Sequence, residues 1–165
     1  LTVCLTSGCT NPDPTLGYTT ASQYRPGVRT VAVPIWTRGT KEYRRDIEIR
    51  LTEAIAKYIE AETPYKVVDR AKADSELTGT LKRVTRTPLA FDPRYGTARE
   101  YQLRLIVDFT WKDLRTGEIL ARRTDFPVAA NYVPEDPFSE DFFQGTEDAL
   151  NRMAGRVVEN MASRW

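Results

Sequence analysis

Tyr101-Gln102-Leu103-Arg104-Leu105-Ile106-Val107-Asp108-Phe109-Thr110-Trp111 alternates large apolar side chains with mostly polar ones. An extended chain sends successive side chains to opposite faces. Tyr101, Leu103, Leu105, Val107, Phe109 and Trp111 therefore share one face, and Gln102, Arg104, Asp108 and Lys112 the other. Such a strand is buried on one side and meets solvent or a partner on the other. Asp113-Leu114-Arg115-Thr116-Gly117 follows it as a hairpin turn, with the glycine available for positive φ, and Glu118 to about Phe126 reads as the returning strand. On the N-terminal side, Leu77, Gly79 and Leu81 alternate with Thr78, Thr80 and Lys82, which makes Glu76 to Thr87 a strand. Pro88 to Thr97 holds two prolines and a glycine and reads as a loop.

The helices flank this β-rich centre. Val28 to Trp36 is a strand by its Val31, Val33 and Ile35 alternation, and Pro34 places it at a sheet edge or at its own end. Thr40 is a cap for a helix from about Lys41 to Ala61, in which Ile47, Leu51, Ala54, Ile55 and Tyr58 form one face. Thr63-Pro64 ends it, Tyr65 to Asp69 is a short strand and Ala71 to Asp74 a connector. Pro127 to Pro137 reads as an irregular crossing. The last helix spans about Ser139 to Arg164, with Phe142 or Phe143, Thr146, Leu150, Met153, Val157 and Met161 as its buried stripe. The order β-α-β-β-β-β-α predicts a two-layer α+β sandwich, a mixed or antiparallel sheet covered on one face by two α-helices. The first helix is a crossover between two strands, and the later strands pair antiparallel.

With 165 residues, 41% hydrophobic and 28% charged, the chain has the composition of one ordinary globular domain. Lys+Arg 24 against Asp+Glu 23 leaves +1, so no global field draws in nucleic acid. No apolar run approaches the roughly 20 residues that span a bilayer. There is no histidine, which removes the commonest general base and metal ligand together.

Near the N-terminus stands Leu5-Thr6-Ser7-Gly8-Cys9. Small residues before a cysteine suit a lipoprotein signal peptidase, after which Cys9 becomes the acylated first residue. Thr6 stands where the usual box has leucine, and the plainer reading is a disordered N-terminus that happens to contain Cys4 and Cys9. Cys4 is a poor alternative because Val3 precedes it. Each buried CH₂ of an acyl chain contributes about 0.8 kcal/mol, and stable anchoring takes roughly two chains. The expected organisation is a signal-peptide remnant at 1–8, a lipid-anchored tether at 9–26 rich in proline, and a single α+β domain at 27–165. Loss of Cys4 on cleavage leaves no free thiol, which suits an oxidising periplasm.

Gly17-Tyr18, then Val28-Arg29-Thr30-Val31-Ala32-Val33-Pro34-Ile35-Trp36, then Glu48-Ile49-Arg50-Leu51-Thr52-Glu53-Ala54 form an ordered series. It continues through Thr63-Pro64-Tyr65-Lys66-Val67-Val68, Ala73-Asp74-Ser75-Glu76-Leu77-Thr78-Gly79-Thr80 and Leu114-Arg115-Thr116-Gly117-Glu118-Ile119-Leu120. The series resembles the LPS-assembly lipoprotein family LptE: a Gly-Tyr near the lipidated cysteine, a V-x-V-x-x-F strand, an E-x-x-L-T-E-A helix and a D-x-x-T-G-x-x-L hairpin. Two departures stand out. Gly17-Tyr18 lies several residues beyond Cys9, which implies a longer tether, and Trp36 replaces the usual phenylalanine. The resemblance implies a lipoprotein on the periplasmic side of the outer membrane. Such a protein sits in the β-barrel of its partner LptD, helps it assemble, and assists lipopolysaccharide to the outer leaflet. Direct contact with lipopolysaccharide is part of the family picture, but no residue of this chain matches a family motif for it. The same two-layer fold also serves other envelope binding modules, such as a peptidoglycan-synthase activator or a Tol-like complex component.

Lys82, Arg83 and Arg86 form one basic group and Lys112 and Arg115 another. If the two lie together they suit lipid A phosphates. The plainer reading is solvated strand ends balanced by Asp108, Asp113 and Glu118, and Arg122-Arg123 is equally ambiguous. Asp92, Tyr95, Tyr132 and Phe138 fall in long loops, where aromatics either anchor a partner or pack back on their own domain. Paired carboxylates are no better as an active site. Glu48 and Glu53 are five apart on a helix and do not face one another, and Asp69 with Asp74 reads as solvated charge. No phosphate loop, nucleophile elbow or metal-ligand spacing is present, so the expectation is no enzyme, no metal and no cofactor.

Overall fold

The alternating stretch forms the strand next to one edge of a mixed six-stranded sheet in the computed structural model, which describes residues 24–39, 46–132 and 141–162. In chain order the elements are β1 (Thr30–Ala32), β2 (Thr37–Arg38), α1 (Ile47–Glu62), β3 (Lys66–Val67), a 3-10 turn (Arg70–Lys72), β4 (Ser75–Phe91), β5 (Ala98–Asp113), β6 (Ile119–Tyr132) and α2 (Asp141–Glu159). The sheet order is β3-β1-β4-β5-β6, with β2 also on β4. β1 runs parallel to both β3 and β4, so α1 is the expected crossover, and β4, β5 and β6 are antiparallel neighbours. The fold is the expected α+β sandwich with both helices on one face. Leu103, Leu105, Val107, Phe109 and Trp111 of β5 are buried against Leu51, Ile55 and Ile59 of α1 and Leu150, Met153 and Val157 of α2 in one cluster.

The strand expected over Val28 to Trp36 is split. Val31 pairs with Ser75 and Thr37 with Thr80, so the chain advances six residues where β4 advances five. Pro34 cannot donate to a ladder, and the detour at 33–36 turns Trp36 inward to 2% exposure. There its backbone N–H donates to Thr52 Oγ1 at 3.0 Å, and Thr52 Oγ1 donates to the Glu48 carbonyl at 2.7 Å. β1 itself lies inside the sheet, so Pro34 marks the strand's end and not the sheet's edge.

Four other boundaries differ from expectation. The loop expected over Pro88 to Thr97 is shorter, a turn over Asp92 to Thr97: β4 continues to Phe91 and β5 begins at Ala98. β1 and β2 reach only as far as Leu81, so at Pro88 the strand has one neighbour and no donor is required of it. For the same reason Pro127 is tolerated in the edge strand β6, which runs on to Tyr132 where an irregular crossing was expected. α1 starts at Ile47 after Asp46 at φ 70°, and the expected cap Thr40 lies outside the described residues. α2 ends at Glu159, short of Arg164.

The segment before β1 is held by the domain. Tyr24 Oη donates to the Glu62 carbonyl at 2.7 Å, its ring meets Tyr65 edge-on, and Arg25 N–H donates to Tyr65 Oη at 3.1 Å. Burial raises the Tyr65 pKa above its ordinary value. The last three residues of the expected tether, 24–26, thus begin at the sheet end that carries the β5–β6 turn.

Candidate functional site

Neither helix covers the second face of the sheet. It carries threonines from four strands, Thr37, Thr78, Thr80, Thr110 and Thr124, interleaved with charge. Register shifts in β4 between Leu81 and Arg83 and in the β5–β6 ladder between Val107 and Phe109 fall at one level of the sheet. Bulges bend strands, and two adjoining depressions of about 420 and 410 Å³ lie here, sharing Thr80 and Asp108.

Lys82 holds this bend. Its Nζ lies 3.2 Å from Asp108 and 2.8 Å from Asp125, while Asp108 Oδ1 accepts the Asp125 N–H at 2.7 Å. Asp125 has φ 50°, a left-handed conformation that the carboxylates and Lys82 fix in place. The Asp125 and Asp108 hydrogen bonds raise the Lys82 pKa above its ordinary value.

The two sequence-predicted basic groups are not brought together. Arg83 pairs with Ile106 in register and Lys112 lies six residues further along β5, roughly 20 Å away at strand rise. Arg83 and Lys112 are exposed. Arg86 lies over the Tyr101 ring at 3.5 Å. Arg115 is a staple: its guanidinium donates to the Gly27 carbonyl at 2.7 Å and lies 3.3 Å from Asp113 and 3.9 Å from Asp74. Arg122 is exposed and Arg123 half-buried on the edge strand. Of the loop aromatics, Tyr95 is 79% exposed at the β4–β5 turn. Tyr132 ends β6 opposite Tyr101, while Phe138 and the lipidation candidate Cys9 lie outside the described residues. Glu48 pairs with Arg38 at 3.9 Å and Asp74 with backbone, so neither carboxylate is part of an acid–base pair. Sequence reasoning missed the Lys82–Asp108–Asp125 clamp, because its members are far apart in the chain, and the exposed Leu89 and Phe91.

Asp74, Asp92 and Asp113 are held below the usual carboxylate range. Asp74 accepts N–H bonds from Arg29 and Thr30 and the Thr30 hydroxyl, Asp92 those of Arg94 and Tyr95, and Asp113 those of Thr116 and Arg115. A depressed folded-state pKa contributes stability that is present above the unfolded value of about 4 and lost as pH falls through the folded one. Thermal unfolding followed by circular dichroism should therefore show a midpoint that drops below about pH 4. Asp113→Asn should make that drop smaller, and an unchanged acid slope in that variant contradicts the assignment.

Among the described residues, no group of three or more acidic or cysteine side chains is placed to hold a metal, and no helix is long and apolar enough to cross a membrane. The family model described as LptE, lipopolysaccharide-assembly, matches residues 28–165. Among curated proteins, no sequence matches this one. The fold is similar to rare lipoprotein B from Shewanella oneidensis, at 17% identity and TM-score 0.52, over 81% of this chain and 93% of that one. It is also similar to a Xanthomonas campestris protein at 10% identity and TM-score 0.55, over 85% and 90% of the two chains.

Proposed function

From the premise that the chain belongs to the LptE lipopolysaccharide-assembly family, whose model spans residues 28–165, we propose that it is a non-catalytic lipoprotein of the outer membrane. In this reading Cys9 carries the lipid on the periplasmic side. The domain acts as plug and chaperone of an LptD β-barrel and assists insertion of lipopolysaccharide into the outer leaflet. The family match is the observation that carries the proposal, and the fold shared with a rare lipoprotein B agrees with it.

The physical chemistry of the open face supports a plug. The lumen of a large barrel is polar. The face that meets it should offer hydroxyls that donate or accept and charges that are already compensated, because an uncompensated charge is costly to desolvate. Thr78, Thr80 and Thr110 supply the hydroxyls, and in the Lys82–Asp108–Asp125 group both carboxylates face the one ammonium, which leaves a single net negative charge in place of two.

Affinity purification from detergent-solubilised outer membrane tests the reading. The expected result is recovery of a large barrel whose heat-modifiable migration depends on the chain, with Cys9→Ser releasing the chain from the membrane fraction. Recovery of a peptidoglycan synthase or a propeller protein in place of a barrel would assign the chain to another envelope system.

A further inference from the structure

The two long hairpins of this sheet turn in the same way, and their surroundings differ. In each, an aspartate N–H donates across the turn (Asp92 to Thr97 at 2.7 Å, Asp113 to Glu118 at 2.8 Å). In each, a glycine at positive φ donates back to the aspartate carbonyl (Gly96 at 2.8 Å, Gly117 at 2.9 Å). The aspartate carboxylate then accepts the next two available backbone N–H groups. The Asp113 turn is covered by the chain's own Gly27 segment through Arg115. Among the described residues no such segment is bonded to the Asp92 turn. From Arg86 onward no residue of β4 is buried, and the last buried residue of the returning strand is Leu103, so the hairpin projects about 17 Å past the core at strand rise. Its apex exposes Leu89 (45%), Phe91 (59%) and Tyr95 (79%), half of the six exposed large hydrophobics in the described residues.

We propose that this apex is an interfacial element that enters the headgroup and upper acyl region of an anionic lipid surface. Backbone groups carried into lipid must be satisfied internally. Here the N–H groups of Asp92, Arg94, Tyr95 and Gly96 all have partners within the turn, and Pro93 has none to satisfy. The Asp92 carboxylate is buried and ion-paired with Arg99, so it brings no unpaired negative charge. Arg94, at the tip, is exposed without a side-chain partner among the described residues, and its long stem lets the guanidinium turn back to a lipid phosphate while Leu89, Phe91 and Tyr95 meet apolar chain. The Asp113 turn, closed by the same hydrogen bonds, has one exposed large apolar residue beside it, Ile119 (44%), against three at the Asp92 turn. The proposal concerns a lipid surface and stands whether or not the barrel reading does.

The full chain carrying Cys9→Ser, which has no acyl anchor at that position, tests it with Tyr95→Trp as reporter. In vesicles of phosphatidylglycerol and brominated phosphatidylcholine, the emission gained over the parent chain should shift to the blue and be quenched. Arg94→Gln should lower partitioning about fivefold, as expected for one cation at an anionic surface. Leu89→Ser with Phe91→Ser should abolish the quenching. Inorganic phosphate should cause no shift. Bound chain with an unquenched reporter, or a spectral change produced equally by phosphate alone, would overturn the proposal.

Discussion

Gly79→Ala should destabilise the domain by about 3 kcal/mol, although alanine is the better residue for an ordinary strand interior. A Cβ built on Gly79 falls 2.5 Å from Cδ2 and Cε3 of Trp36, inside any tolerable contact. The indole has nowhere to go. It is 2% exposed and stacked on Phe109 with ring centroids 6.4 Å apart, and Phe109 meets Phe126 edge-on at 5.7 Å. Its backbone is tied to Thr52 on α1, so displacing the ring drags on the helix as well. Urea denaturation should show a lower midpoint with an unchanged slope. Trp36→Leu in the Gly79→Ala background should recover much of the loss, and it forfeits no hydrogen bond because Trp36 Nε1 is buried without a partner. A Gly79→Ala chain within about 0.5 kcal/mol of the parent would show that the close approach is not what the site requires.

That contact explains why some of this fold is written locally and some is not. The β5 alternation and the Ile47–Leu51–Ala54–Ile55–Tyr58 face are periodicities, readable from the residues themselves, and each is buried as expected except for the half-buried Tyr58 and Tyr101. Thr146, Leu150, Met153, Val157 and Met161 of α2 follow the same rule. Prolines mislead because their effect depends on neighbours. Pro88 and Pro127 signal loops only where a strand is flanked on both sides, and β4 at Pro88 and β6 at Pro127 have one neighbour each. The split of the first strand was hidden for the opposite reason. Val33 and Ile35 continue the alternation, but Trp36 gains more by burial over Gly79, forty-three residues away, than the strand gains by pairing.

The basic residues divide along the same line. Nothing local in Lys82-Arg83 tells that Lys82 is bound to Asp108 and Asp125 while Arg83 faces solvent, since the bulge between Leu81 and Arg83 separates their surroundings. Arg115 looks like a hairpin-tip cation in sequence and is a clasp on the Gly27 carbonyl in the fold. Tyr95 alone of the described candidates is as exposed as its loop position suggested, and its significance lies in Leu89 and Phe91 beside it, which a loop reading conceals.

Trp111→Ala should cost about 4 kcal/mol, the largest single-residue effect expected in the domain. Trp111 is 1% exposed and packs at 5.6 Å on Tyr65, which itself holds the Arg25 backbone. The indole does more than fill space. Its Nε1 donates to Ser75 Oγ at 3.0 Å, and Ser75 Oγ donates to the Thr30 carbonyl at 3.1 Å, so one buried chain of hydrogen bonds links β5, β4 and β1. Ser75→Ala leaves that N–H buried and unpaired, which costs about 1–3 kcal/mol. Trp111→Phe removes the donor and keeps most of the packing. Pairing it with Ser75→Ala should therefore cost less than the two changes summed, because neither orphan then remains. Equilibrium unfolding of the four chains measures the coupling. Strict additivity would mean that the hydrogen-bond chain contributes nothing, and a Trp111→Ala chain weakened by less than about 1 kcal/mol would mean that the parallel end of the sheet does not rest on this side chain.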